Sequence, residues 1–175
     1  GGGRQDSFHN NTFRGLVGLK GDVGMGWTYD ASLQFSRVSA NRNTLNYFVT
    51  DRLAKALDVV DVNGVPTCKS VVDGTDPACV PWNIFKIGGV TPAALNYLQA
   101  TGLQAGVIDQ RVFQGNMSGD LGAIGLKSPW AGSPIAMSVG FEERSDSLTN
   151  TVDALQTAGA LAGSGGPTIG INGHT

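Results

Sequence analysis

The residues of this 175-residue chain whose chemistry is most readily named are two cysteines, two histidines and a pair of adjacent glutamates. Cys68 and Cys79 enclose a short run containing Gly74 and Pro77, both of which favour chain reversal. In an oxidising compartment a disulfide between them is the expected state; in a reducing one the same spacing leaves two free thiols. Zinc would need four nitrogen or sulfur donors. His9 and His174 stand at opposite ends of the sequence, so no metal site is expected. Glu142 and Glu143 are neighbours in an alternating stretch, which turns them to opposite faces and prevents them from acting as paired carboxylates. The motifs GxSxG, GxxxxGK[ST] and HExxH do not occur. "GGGRQD" and "GSGG" are rich in glycine, but neither lies between a strand and a helix as a nucleotide-binding loop must. No catalytic residues and no cofactor are expected, and the chain does not read as an enzyme.

The elements that carry these residues show a second pattern. "TYDASLQFS" alternates strictly: Trp27, Tyr29, Ala31, Leu33, Phe35 and Arg37 fall on one face, and Thr28, Asp30, Ser32, Gln34 and Ser36 on the other. The same period runs through "TFRGLVGLKGD", "RVFQGNMSGDL" and "IAMSVGFEER". Strands are therefore expected at about 12–22, 27–39, 111–124 and 134–147. "DVGMG" joins the first two and "KSPWAGSP" the last two, which predicts two antiparallel hairpins. Between the second and third strands lie roughly seventy residues, and a long loop is expected over about 43–110. In it, "TDRLAKALDVV" predicts a short helix with Thr50 as N-cap. "VTPAALNYLQATG" predicts another, with Thr91 as N-cap, Pro92 at the first helical position and Gly102 as C-cap. The fold class is all-β with short helices in a long loop.

Composition narrows the partners. The net charge is −2 and Lys and Arg do not cluster, so nucleic acid is not an expected partner. No apolar stretch approaches the ~18 residues of a transmembrane helix. Glycine accounts for 26 residues and aromatic side chains for only 7 %, too few large side chains for a well-filled core. Each alternating stretch carries a strongly polar second face, and short turns at one end oppose a long excursion at the other. Outer-membrane barrels have this asymmetry, with apolar residues turned to lipid and polar ones lining the lumen. Trp27, Tyr29 and Phe8 near strand ends and Trp130 in the second turn suit an aromatic girdle, where an apolar ring keeps its polar atom in water. Both ends of the chain read as loops, and the expectation is a single partial domain over 1–175.

The opening "GGGRQDSFHNNTFRGLVGLKGDVGMGWTYDASLQFS", then "LAKALDVV", the segment from Cys68 to "CVPWNIF", "GGVTPAALNYL" and "LGAIGLKSPWAGSPIAMSVGFEERSDSL" together resemble TonB-dependent outer-membrane receptors of Caulobacter-like and sphingomonad-like bacteria. The resemblance covers almost the whole chain. It implies a slice of a transmembrane barrel in the bacterial outer membrane that takes up a scarce nutrient, a metal chelate or an oligosaccharide, with energy supplied through TonB. Nothing in the sequence resembles the plug domain or the TonB box. The implied partners are therefore the remainder of the barrel, the plug, outer-membrane lipid and, through the absent N-terminal region, TonB. A slice of this kind cannot transport alone and is expected to self-associate. On this reading Trp27, Tyr29, Leu33, Phe35 and Phe141 face lipid. Arg14, Lys20, Asp30, Gln34, Gln114, Asn116 and Arg144 face the lumen. The alternative is a secreted soluble β-domain that binds a ligand through a disulfide-stapled loop.

Overall fold

The computed structural model describes residues 2–175. The fold is all-β and mostly antiparallel, with few short helices and a sheet that does not close. Its principal strands are β1 (Gln5–Gly24), β2 (Trp27–Phe48), β5 (Gln99–Asp120) and β6 (Ala136–Val152), with a short β7 (Ile171–His174). They form one five-stranded sheet in the order β1-β2-β5-β6-β7. Between β2 and β5 the chain makes α1 (Thr50–Leu57), the hairpin β3 (Val59–Val62) and β4 (Val65–Cys68), α2 (Lys69–Val72) and α3 (Pro92–Leu98). α4 (Ala154–Thr157) follows β6.

The strands run well past the limits that alternation marks. Residues 43–48 and 99–110, expected in the long loop, are strand. β6 continues to Val152, whereas β5 ends at Asp120 and residues 122–124 form a 3-10 turn. β7 adds a strand near the C-terminal end, where none was expected. Four residues of polar composition, such as "NRNT" in β2, carry little hydrophobic signal, yet they pair because their neighbours on both sides are strand.

The chain forms two compact units. The first comprises residues 1–10, 40–106 and 150–171 and holds the apolar cores. Ala56, Cys68, Cys79, Ala94, Tyr97 and Leu98 are buried together, with Phe48 and Trp82 meeting edge-to-face at 5.6 Å beside them. Tyr47, Val49 and Leu161 form a second buried cluster. Thr91 caps α3 as expected, its Oγ1 accepting the Ala94 N–H at 3.1 Å, with Pro92 opening the helix. Two expected caps are corrected. Val49, not Thr50, is the N-cap of α1, because Val49 is held extended in a bridge to Leu161 and the Thr50 hydroxyl donates to the Ala160 carbonyl instead. Gly102 lies inside β5 rather than at the end of α3, where a Cβ would come within 2.6 Å of Leu161 and 2.8 Å of Gln156. The tail of the expected first helix is β3, turned back onto β4 by Asn63 and Gly64, both at positive φ.

The second unit comprises residues 11–39, 107–149 and 172–175. β1 and β2 are joined there by Met25 and Gly26, both at positive φ, as a two-residue mirror-type hairpin turn requires. Among its described residues Val112 alone is buried. Neither face of this part of the sheet is covered.

Candidate functional site

In the second unit, side-chain contacts fix which residues share a face. Phe13 and Phe35 lie 6.1 Å apart, and Phe113 and Phe141 6.0 Å. Three aromatic rings rest on glycines of the neighbouring strand. A Cβ on Gly15 would meet Phe35 at 2.5 Å, one on Gly21 would meet Tyr29 at 3.0 Å, and one on Gly119 would meet Trp27 at 2.5 Å. With strand period two, these contacts put Phe13, Val17 and Leu19 with Trp27, Tyr29, Leu33 and Phe35, and with Phe113, Met117, Val139 and Phe141. This face bears no charge along β2 from Trp27 until Arg37. There Arg37 forms a two-point ion pair with Asp109, Nε to Oδ1 at 2.7 Å and Nη2 to Oδ2 at 2.9 Å. Trp27 and Arg37 are about 33 Å apart along an extended strand, or about 25 Å in height at the ~40° tilt of barrel strands.

The opposite face is polar, and its groups are joined across strands. Arg14 Nη2 donates to Gln34 Oε1 at 2.5 Å, Gln34 Nε2 to Gln110 Oε1 at 3.4 Å, and Gln110 Nε2 to Asp146 Oδ1 at 2.9 Å. This row crosses β1, β2, β5 and β6. Nearer the turns, Asn116 Nδ2 donates to Asp30 Oδ2 at 3.2 Å, and the hydroxyls of Thr28 and Ser118 lie 3.2 Å apart. Arg144 pairs with Glu142 two residues away, at 3.7 Å. Lys20 and Gln114 fall on this face by the strand period. Cross-strand hydrogen bonds thus join Arg14, Asp30, Gln34 and Asn116 on one face, and ring contacts set Trp27, Tyr29, Phe35 and Phe141 on the other, while Lys20, Gln114, Arg144 and Leu33 are assigned by strand period alone. Gln110 and Asp146, which complete the row, had no distinguishing signal in sequence. Arg37 had one: alternation sets it among apolar residues, where a charge needs a partner. Trp130, in the second turn, is 93 % exposed. Phe8 belongs to the first unit, where the Arg42 guanidinium lies 5.5 Å from its ring centroid.

In the first unit two acidic residues organise their surroundings. Asp6 accepts hydrogen bonds from Tyr47 Oη at 2.9 Å, Thr44 Oγ1 at 3.3 Å and Arg42 Nε at 3.1 Å. Thr44 and Tyr47 reach the same carboxylate because Asn46, at φ 60°, inserts an extra residue and shifts the parity of β2. Asp76 belongs to the segment enclosed by the Cys68–Cys79 disulfide, which is formed. Its Oδ2 accepts from Tyr97 Oη at 2.9 Å and Lys55 Nζ at 3.3 Å, and Oδ1 accepts the Ala78 N–H. The Tyr97 hydroxyl, then Lys55, hold the Asp76 carboxyl below its ordinary value. Burial, reinforced by Asp76, pushes the Tyr97 phenol up to about 12. Asp51 at 2.7 Å and Asp76 keep Lys55 charged by raising it. These groups brace α1, α3 and the stapled segment together. They offer neither a nucleophile with an adjacent base nor a cluster of metal ligands among the described residues.

His9 lines a polar hollow with Asn41, Asn43 and Asp153, all in the first unit. No family model, curated protein or solved structure matches the chain.

Proposed function

We propose that this chain is part of the wall of an outer-membrane β-barrel, with its apolar face toward lipid and its polar row toward the lumen. The observation that carries this reading is the second unit's sheet. Along β2 one face has an apolar band about 25 Å high, matching the hydrocarbon band of such barrels, and the strand period sets Glu143 of β6 on the same face. The other face is polar and cross-linked by hydrogen bonds. A water-soluble sheet of this size would bury the first face against a second layer, and here both are open. The resemblance to TonB-dependent receptors supports the narrower reading: a receptor for scarce nutrients such as metal chelates or oligosaccharides, energised through TonB by a region not contained in these residues. The stapled insertion, which has its own small core, is then an extracellular loop in the oxidising compartment that its disulfide requires.

One observation favours a second reading. The insertion's buried cluster and disulfide are what a small secreted ligand-binding module would use. Nitroxide labels at Leu33→Cys and Gln34→Cys separate the two, since the native cysteines are paired and do not compete for label. With the chain in lipid vesicles, the label at position 33 should be reached by dissolved oxygen and shielded from a water-soluble nickel chelate. The label at position 34 should show the reverse. Equal exposure of both to the chelate, with a monomeric chain in plain buffer, would favour the secreted module.

A further inference from the structure

At the charged end of the apolar band lies a groove of about 830 Å³, within the size range of small-ligand clefts. Phe13, Leu33 and Phe35 form its apolar wall, and Phe13 is 62 % exposed. The lining of the groove carries more cationic than anionic groups. Its one carboxylate, Asp109, is already engaged at both oxygens by Arg37. Arg111 lines the same groove and helps to lower the Asp109 carboxyl through its charge, but makes no hydrogen bond or close ion pair among the described residues, and the hydroxyls of Ser145 and Ser147 make no hydrogen bond there either. The lining sets two guanidinium groups against one carboxylate beside unused donors, and Glu143, on the same face by the strand period, stands outside that lining. A ligand that satisfies both sides must have an anionic head with several acceptor oxygens and an apolar tail.

We infer that this groove binds a phosphorylated lipid, the phosphate held by Arg111 with Ser145 and Ser147 and the acyl chain lying along Phe13, Leu33 and Phe35. The inference rests on the barrel reading, in which this face meets the membrane and the groove lies at headgroup level. Arg37 has a different task. Fixed by Asp109, it closes one side of the groove and keeps the carboxylate from repelling the phosphate.

The test is native mass spectrometry of the intact chain, purified in a non-ionic detergent and offered equal amounts of phosphatidate and phosphatidylcholine of the same acyl length. Retention of phosphatidate should exceed that of phosphatidylcholine by about tenfold, as expected for a charge-assisted contact to phosphate. Arg111→Gln should abolish the preference and the double variant Ser145→Ala, Ser147→Ala should weaken it. Arg144→Gln, on the polar face, should leave it unchanged. Millimolar inorganic phosphate should not displace the lipid; displacement would mean that the groove takes a free anion and would overturn the assignment to lipid. Equal retention of both lipids, or full preference in Arg111→Gln, would also overturn it. The label at position 33 distinguishes the two failures. A lipid-exposed Leu33→Cys label with no phosphatidate preference defeats the site alone, whereas a water-exposed one defeats the barrel reading and the site with it.

Discussion

Asp76 is the side chain around which the stapled insertion is organised, and its partner Tyr97 provides a direct readout. Burial and the Asp76 carboxylate raise the Tyr97 phenol from 10.0 to about 12. A raised pKa in the folded state means that this contribution to stability is complete below pH 10 and is lost as the pH climbs toward 12. Asp76 has the opposite sign. Its carboxyl lies below 3.8, so its contribution is present above that value and disappears as the pH falls through the lower folded value. Phenolate absorbance near 295 nm should therefore show one of the three tyrosines ionising close to pH 12. Tyr97→Phe should remove that late step and leave the rest of the curve in place. Superimposable curves for the two proteins would show that Tyr97 is not so held. The face assignments of Arg14, Asp30, Gln34 and Asn116 were legible because strand parity needs only counting. Asp76 and Asp6 were not, because each draws partners from segments that lie 21 and up to 41 residues away in sequence.

Among the elements, the hairpins β1–β2 and β5–β6 were readable from alternation and glycine-rich turns. The β3–β4 hairpin was missed although "VNGV" carries a strong signal for it, Asn-Gly between β-branched residues. The helical pattern of "LAKAL" was extended through "DVV", yet helix α1 stops at Leu57 and the valines pair as strand. Abundant glycine leaves few side chains for a core, and the structure gives some of it a definite use. Gly15, Gly21 and Gly119 are seats for aromatic rings across the strand boundary. Two glycines of β5 on the same face test this. A Cβ on Gly119 would press into the proximal atoms of the Trp27 indole, whereas one on Gly115 meets nothing within 4 Å. Gly119→Ala should destabilise by about 1–3 kcal/mol, the usual cost of overpacking, and should shift Trp27 emission. Gly115→Ala should be neutral or stabilising by about 0.5–1 kcal/mol, because alanine loses less backbone entropy than glycine. Denaturant midpoints in detergent check both, and equal effects of the two substitutions would refute the seat.

For the molecule as a whole, the decisive fact is an open sheet. β1 is a 20-residue edge strand exposed along nearly its entire length. Its unpaired backbone groups seek another strand, and the exposed apolar face costs roughly 25 cal/mol per Å² in water. Self-association relieves both penalties. Light scattering at low micromolar concentration without detergent should therefore report species well above the 18.1 kDa of one chain, and lipid or detergent should reduce them. A sharp monomer peak in plain buffer would contradict this and favour the secreted module. The extent of strand exceeds the sequence expectation because the outer halves of β2 and β5 mix apolar and polar residues without strict alternation, and pairing there is imposed by neighbours rather than by hydrophobic pattern.

The insertion between β2 and β5 begins and ends at one point. The Val49 N–H donates to the Leu98 carbonyl at 2.9 Å, so roughly fifty residues leave and return through a doorway one hydrogen bond wide. The buried residues Ala56, Cys68, Cys79, Ala94, Tyr97 and Leu98 all fall inside that excursion. Because the strands already hold the doorway shut, doubling the excursion's length adds only about 0.6 kcal/mol of closure entropy. The excursion is thus an exchangeable cassette. What is mounted there can be lengthened, shortened or replaced without retuning the register of the strands that hold the doorway.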